Sequence, residues 1–167
     1  MRIQVSVVVP TYKRPHLLRN CLNALVNQQY PPEAYEIIIV DDACSEETRA
    51  LVEGFSGQAY VCKSDSCAQI RYAIAAQTQG PAAARNVGWQ MARGEIIAFT
   101  DDDCLPEANW LQEGMAALSD GLAGVSGQII VPIPADPTDY EKNVSRLEEG
   151  EFVTANCFYR RSALEDV

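Results

Sequence analysis

Short runs of apolar, mostly β-branched residues recur along the chain and predict buried β-strands. The runs assigned to strands are Val5–Val9, Ile37–Val40, Glu95–Thr100, Val125–Val131 and Phe152–Tyr159, with one more expected within 54–76, most naturally at 71–76. Several of these runs are apolar at successive rather than alternate positions. That pattern is typical of parallel strands that are covered on both faces of the sheet.

Helical patterns separate these strands. Apolar residues recur at helical spacing in 16–29, which the pair Pro31–Pro32 follows, and acidic residues after Ser45 suit the first turn of a second helix. Further helices are expected at Pro81–Arg93 with Gly94 as their stop, at Glu107–Leu118, and from a Ser162–Glu165 capping box. The alternation predicts an α/β fold with a mostly parallel, Rossmann-like sheet and helices on both faces.

The segment 132–139 contains three prolines and two aspartates and is the irregular loop that the sequence predicts. It divides a single structural domain into a nucleotide-binding part, 1–131, and a shorter part, 132–167. The Ser162–Glu165 signal announces a helix just before the last residue, Val167. We therefore expect a fragment of a longer protein, with a frayed native C-terminus as the alternative.

Charge and cysteine content narrow the class of protein. The 167 residues include 13 Lys and Arg against 23 Asp and Glu, a formal net charge of −10, which argues against nucleic acid as a partner. The apolar runs are too short to span a membrane, and no signal-peptide pattern precedes the first strand, so a cytoplasmic location is expected. Six cysteines without a CxxC spacing, and one histidine, His16, indicate reduced thiols rather than a structural zinc site.

Polar residues cluster where the predicted strands end. Pro10–Arg14 follows the first strand, Asp41–Asp42 the second, Gly80 the third and Asp101–Asp103 the fourth. In an open parallel sheet, ligands bind beyond the carboxyl ends of the strands, where the strand order reverses. These segments are therefore expected to form one site.

Each cluster has a chemical interpretation and a structural one. Three adjacent carboxylates at 101–103 repel each other, and Mg²⁺ or Mn²⁺ would relieve that repulsion; a solvated acidic turn is the alternative. An aspartate of the pair 41–42 could accept hydrogen bonds from a base or ribose, or could cap the next helix. Arg85 near a helix N-terminus could face a phosphate, or could pair with the acidic triplet.

Together, these segments resemble the family 2 glycosyltransferases, which have the GT-A fold. The resemblance rests on four motifs in order and on a later strand, namely Val7–Arg14, Ile38–Ser45, Gly80–Asn86, Gly94–Asp103 and Thr154–Arg161. It extends over nearly the whole chain.

The resemblance implies a nucleoside-diphosphate sugar as donor, commonly a UDP-sugar, with Mg²⁺ or Mn²⁺ bridging the diphosphate and the DxD motif. By match to that motif, Asp103 would hold the metal, Asp102 would contact the ribose or phosphate, and Asp101 would support both. Asp42 would contact a uracil-like base. The implied nucleotide-binding residues are Pro10, Thr11, Tyr12, Arg14, Asp41, Asp42, Gly80, Arg85, Asp101 and Asp102.

The resemblance also implies inversion at the anomeric carbon, with a carboxylate base that deprotonates the acceptor hydroxyl. The family's base lies C-terminal to Val167, and the acidic stretch 148–151 comes too early to replace it. The 167 residues are therefore expected to bind nucleotide and metal with little or no sugar transfer. The donor sugar is not identifiable, nor is the acceptor (a glycan, lipid or small molecule), and membrane association of the full-length protein stays open.

Two other interpretations remain. A sugar-phosphate nucleotidyltransferase would need a Gly-rich, basic loop after the first strand, where this chain has Pro10–Tyr12. A receiver-like signalling domain would place its acidic pair after the first strand rather than the second. Dinucleotide-binding GxGxxG and phosphate-binding GxxxxGK[ST] motifs are absent from the sequence.

Overall fold

A computed structural model of the chain describes residues 2–56, 68–76, 79–118 and 121–166. The strands are β1 (Val5–Thr11), β2 (Tyr35–Asp41), β3 (Gln69–Ile74), β4 (Ile96–Phe99), β5 (Gly124–Ser126) and β6 (Cys157–Arg160). The helices are α1 (Pro15–Val26), α2 (Glu46–Ser56), α3 (Pro81–Met91), α4 (Trp110–Ala117), α5 (Asp139–Ser145) and α6 (Arg161–Glu165). Short 3₁₀ turns cover Pro32–Ala34 and Arg146–Glu149.

The six strands form one sheet in the order β3-β2-β1-β4-β6-β5. Strand β1 pairs in parallel with β2 on one side and β4 on the other, and β3 continues the parallel part beside β2. Strands β6 and β5 complete the sheet in antiparallel orientation. The predicted α/β architecture with a mostly parallel sheet is confirmed, and the strand order reverses between β1 and β4.

Burial on both faces explains the continuous apolar runs. Every residue of β1 and β2 is buried. On one face, Val7 and Val9 of β1 belong to the core that includes Leu18 and Leu22 of α1. On the other face, Val8 belongs to a second core that includes Ala84 of α3. Within the described ranges, no helix is long and apolar enough to cross a membrane.

Two glycines allow close approach of backbone to the sheet. A Cβ atom added at Gly88 of α3 would lie 3.1 Å from Cγ2 of Val40 and closer still to the side chain of Val8. At Gly94 an added Cβ would lie 2.7 Å from the backbone nitrogen of Ser6. The predicted role of Gly94 as a helix stop is wrong, because α3 already ends at Met91. Gly94 lies instead in the short connection between α3 and β4.

Several predicted boundaries differ from the structure. Helix α1 ends at Val26 rather than 29, α4 begins at Trp110 rather than Glu107, and β3 runs two residues earlier than 71–76. The predicted strand ends at Val131 and Phe152 are also wrong, since β5 stops at Ser126 and β6 begins at Cys157. The pairing of those two strands closes with the bond from Gly127 N to Asn156 O (3.1 Å), and the chain between them leaves the sheet.

The helix caps in the structure agree only in part with those predicted from the sequence. Ser45 caps α2 as expected, since its Oγ accepts a hydrogen bond from Thr48 N at 3.3 Å. The Ser162–Glu165 capping box is wrong, because α6 already begins at Arg161 and has no side-chain capping hydrogen bond at its N-cap, Arg160. A capping box occurs instead at Thr138 and Glu141, where it begins α5, a helix that the sequence analysis missed.

A buried carboxylate holds the amino-terminal edge of the sheet together. Glu36 of β2 accepts hydrogen bonds from Ser6 Oγ (2.7 Å), from the backbone and guanidinium of Arg93 (2.7 and 2.6 Å), and from Arg71 (3.1 Å). Burial alone would raise the pKa of Glu36, but the bonds from Arg93, Ser6 and Arg71 outweigh it and hold that pKa below 4.5.

We expect Glu36→Gln to lower the free energy of unfolding by about 3 kcal/mol at pH 7, because it removes the shared acceptor of two arginines. The pKa of Glu36 is lower in the folded than in the unfolded chain. Its contribution is therefore fully present above pH 4.5 and is lost as the pH falls through the folded-state pKa. Urea unfolding followed by circular dichroism between pH 7 and pH 3 measures this difference.

Glu95→Gln is the matched control, since Glu95 pairs with Arg2 and both side chains are mostly exposed. It should leave the unfolding free energy nearly unchanged. A stability gap between the native chain and Glu36→Gln that stays constant down to pH 3 would contradict the assignment.

Candidate functional site

A cavity of about 570 Å³ opens at the carboxyl-terminal edge of the parallel strands. The loops after β1, β2 and β4 line it together with the start of α3. Eight of the predicted site residues lie on its wall: Pro10, Thr11, Tyr12, Arg14, Asp42, Gly80, Arg85 and Asp101. The volume is within the range of pockets that bind small organic ligands.

Asp41 shapes the wall from behind rather than lining it. Its buried carboxylate accepts hydrogen bonds from Ala43 N (2.8 Å), Ser45 N (2.7 Å) and the hydroxyl of Tyr72 (2.9 Å). Burial and the bond to Asp41 raise the pKa of Tyr72 to about 12, so the phenol stays a donor. Asp41 thereby fixes the turn between β2 and α2, in which Cys44 has a positive φ of 52°.

Asp42, the next residue, does line the cavity. Its Oδ2 accepts a hydrogen bond from Gly80 N at 2.8 Å, while its buried Oδ1 has no hydrogen-bond partner. Gly80 has a φ of 102°, a conformation that favours glycine, and directly precedes α3. One carboxylate oxygen therefore holds the wall together and the other is available to a ligand.

Asp102 is buried under the site and ties two loops together. Thr11 Oγ1 donates a hydrogen bond to Asp102 Oδ2 at 2.6 Å, and Arg14 Nη2 lies 2.5 Å from Asp102 Oδ1. Burial raises the pKa of Asp102, and the contacts with Thr11 and Arg14 oppose that shift. Asp102 does not line the cavity, although the side chains that hold it do.

The neighbouring carboxylates point to different arginines. Asp101 Oδ1 is paired with Arg85 of α3, and Asp103 Oδ2 lies 3.0 Å from Arg14 Nη1. Arg85 is the more enclosed of the two arginines, with a side chain that is 15% exposed and a buried Nε that has no hydrogen-bond partner. The site thus brings the predicted acidic triplet together with both predicted cationic residues.

The residues of the site could hold a metal ion only together with ligands from outside the protein, such as phosphate oxygens and water. Within the part of the chain that the structure describes, no three Asp, Glu, His or Cys side chains converge to hold an ion. The side chain of Asp103 is 47% exposed, and among the described residues its Oδ1 is contacted by the weak S–H donor of Cys104 at 3.8 Å. Mg²⁺ is commonly bound by one or two carboxylates plus water and phosphate, a mode that Asp103 can support.

Sequence reasoning missed several members of the site. Gln79 and Ala84 line the cavity, and Tyr72 supports Asp41 from β3. Tyr72 lies on β3, which two strands separate from β4, and its position in the sequence gave no sign of a site. Cys21, a buried thiol whose Sγ lies 3.5 Å from the carbonyl oxygen of Asp101, also packs beneath the acidic loop. Cys21, Cys44, Cys104 and Cys157 are free, whereas Cys62 and Cys67 lie outside the described residues.

Sequence comparison identifies the family. The family described as Glycosyl transferase family 2 matches residues 6–167. The chain belongs to this family. It is 32% identical over 173 residues to Glycosyltransferase AglE of Haloferax volcanii, an alignment that covers 98% of this chain and 54% of that protein. A glucosyltransferase of Campylobacter jejuni, GalNAc(5)-diNAcBac-PP-undecaprenol beta-1,3-glucosyltransferase, is 31% identical over 77% of this family 2 chain and 38% of its own length.

Solved structures show that this family 2 member has the GT-A fold. The mannosyltransferase PcManGT from Pyrobaculum calidifontis, in complex with GDP-Man and Mn²⁺, is similar with a TM-score of 0.73 and 26% identity, over 99% of this chain and 47% of that one. S. aureus TarS 1-349 in complex with UDP-GlcNAc is similar in fold, with a TM-score of 0.74 and 23% identity over 98% and 47%. The chain spans about half the length of these proteins.

We expect Asp41→Asn to lower the free energy of unfolding by about 2 kcal/mol. All three partners of Asp41 are hydrogen-bond donors, and the NH₂ group of asparagine would face at least one of them without an acceptor. Tyr72→Phe, which removes one of the three hydrogen bonds, should cost about 1 kcal/mol. Urea unfolding followed by tryptophan fluorescence measures both. Asp136→Asn, at an exposed position of the 132–139 loop, is the control, and an equal effect there would contradict the role of Asp41.

Proposed function

We propose that this chain forms the donor-nucleotide site of a glycosyltransferase that transfers a sugar from a nucleoside-diphosphate sugar. The observation that carries the proposal is the pair of buried, unpartnered polar atoms in the cavity wall, Asp42 Oδ1 and Arg85 Nε. A buried polar atom without a partner is costly, and a bound nucleotide would supply an N–H for one and a phosphate oxygen for the other.

The carboxylate of Asp42 favours uracil over guanine. Uracil presents one N–H between two carbonyl oxygens, whereas guanine presents two adjacent donors that suit both oxygens of a carboxylate. Because Gly80 N already occupies Oδ2 of Asp42, a single oxygen is left for the base. Tyr12 lines the cavity and is 52% exposed, so its aromatic ring is available to stack on the base.

The diphosphate is assigned to the arginine side of the cavity. Arg14 and Arg85 both line it, and a guanidinium suits phosphate oxygens because it can donate two hydrogen bonds at once. Arg85 also lies in the first turns of α3, where the helix dipole favours an anion. Asp41 and Asp102 contribute from below, through the loops that they fix.

Asp103 would hold Mg²⁺ or Mn²⁺ together with the diphosphate, with Asp101 as the second candidate ligand. Such a cation, when bound, offsets the charge that develops on the departing diphosphate. The half-exposed Asp103 carboxylate supports this role. All of the cavity-lining residues fall within 1–131, which supports the division into a donor part and an acceptor-side part that begins at 132.

The transfer step is proposed to invert the anomeric carbon. An acceptor hydroxyl on a glycan, lipid or small molecule attacks that carbon, the bond to the diphosphate breaks, and a carboxylate base takes the hydroxyl proton. No described residue is assigned as that base. In the acidic stretch 148–151, Glu148 accepts a hydrogen bond from Val131 N at 2.7 Å.

Calorimetric titration of the chain with UDP and with GDP, in Mn²⁺ and again in EDTA, tests the proposal. We expect UDP to bind more tightly than GDP, and removal of Mn²⁺ to weaken UDP binding about tenfold because the diphosphate then loses its cation. Asp42→Asn should weaken UDP binding by at least about tenfold, since the base loses a charged acceptor.

Asp136→Asn is the control for charge alone and should bind UDP as the native chain does. Equal affinity of the native chain and Asp42→Asn for UDP would overturn the base assignment. Absence of binding of either nucleotide, with Mn²⁺ present, would overturn the proposed donor site.

A further inference from the structure

The acid loop, Asp101–Asp103, is already partly neutralised by two of the protein's own arginines. Arg14 contacts two of its carboxylates at once, Asp102 Oδ1 at 2.5 Å and Asp103 Oδ2 at 3.0 Å, while Arg85 pairs with Asp101. Both arginines come from elements outside the loop, one before α1 and one within α3. A divalent cation that approaches the loop therefore meets carboxylates that already have positive partners.

The two arginines differ in how easily each can break its ion pair with the acid loop. The side chain of Arg85 is 15% exposed, whereas that of Arg14 is 45% exposed and its partner Asp103 is 47% exposed. Asp102, by contrast, is buried and is also held by Thr11. The contact between Arg14 and Asp103 is thus the exposed half of a two-carboxylate bridge, and it can open while the buried half stays closed.

A nucleoside diphosphate provides the replacement acceptor. Arg14 lines the cavity, so phosphate oxygens that enter it can take the guanidinium arm that Asp103 gives up. The same ligand supplies further oxygens for the cation. Nucleotide binding draws Arg14 away from Asp103 and so favours the cation. Cation binding to Asp103 frees Arg14 and so favours the nucleotide.

We propose that Arg14 serves as an internal counter-ion of Asp103 and is replaced there by a divalent cation when a nucleoside diphosphate binds. The inference rests on the proposed function. It makes cation and nucleotide binding interdependent in this chain, and by linkage each ligand strengthens the other by the same factor.

Titration with Mn²⁺ followed by electron paramagnetic resonance, in which the signal of free Mn²⁺ falls on binding, tests this inference without a transfer assay. For the native chain we expect weak Mn²⁺ binding that saturating UDP strengthens by about tenfold or more. Arg14→Gln should bind Mn²⁺ without nucleotide about five to ten times more tightly than the native chain and should show a smaller effect of UDP.

Arg14→Lys separates displacement from a general change of electric field. Lysine keeps the positive charge, but its compact ammonium cannot span Asp102 and Asp103 as a guanidinium does. We expect nucleotide-free Mn²⁺ binding by Arg14→Lys to be tighter than native as well. Arg19→Gln, at an exposed position of α1 outside the cavity wall, is the charge-matched control and should behave as native.

Native-like affinity of both Arg14 variants for Mn²⁺ without nucleotide would overturn the inference. So would an effect confined to Arg14→Gln, since it would show a field effect only. Thermal unfolding by circular dichroism verifies that each variant is folded. Failure of the proposed function is distinct, because it appears as absence of nucleotide binding in calorimetry, while the nucleotide-free Mn²⁺ comparison still tests Arg14.

Discussion

The buried carboxylate of Asp102 joins the loop after β1 to the loop after β4, through Thr11 on one oxygen and Arg14 on the other. Burial raises the pKa of Asp102, and the contacts with Thr11 and Arg14 oppose that shift. Its two chain neighbours are then turned apart, one towards Arg85 and one towards Arg14. The arrangement of charge at this edge of the sheet follows from that single tether.

In the described part of the chain, buried charged side chains have hydrogen-bond partners at one edge of the sheet and lack some of them at the other. At the amino-terminal edge, Glu36 accepts hydrogen bonds from Ser6, Arg71 and Arg93, and this network contributes to stability. At the carboxyl-terminal edge, polar atoms of Asp42 and Arg85 remain without partners in the described structure. Such atoms reduce stability, and the two that line the cavity, Asp42 Oδ1 and Arg85 Nε, support the proposed ligand site at this edge.

The sequence predicted the parallel core and the family because both depend on local patterns, namely apolar runs and the polar residues that follow them. It could not distinguish within pairs of adjacent acids. Asp41 turns inward and Asp42 lines the cavity, a difference set by Tyr72 on a separate strand and by the turn at Cys44. Helix α5 was missed because prolines before Thr138 suggested a loop, and the strand ends near 126 and 157 depend on long-range pairing.

Gly88 has a consequence for the cavity one helical turn away. Because it lacks a side chain, α3 rests directly on Val8 and Val40, and the backbone that carries Arg85 is fixed relative to the sheet. With its backbone placed in this way, the side chain of Arg85 is enclosed and paired with Asp101, so much of its conformational entropy is lost when the chain folds. In the proposed donor site, Gly88 would thus influence affinity without contacting the nucleotide.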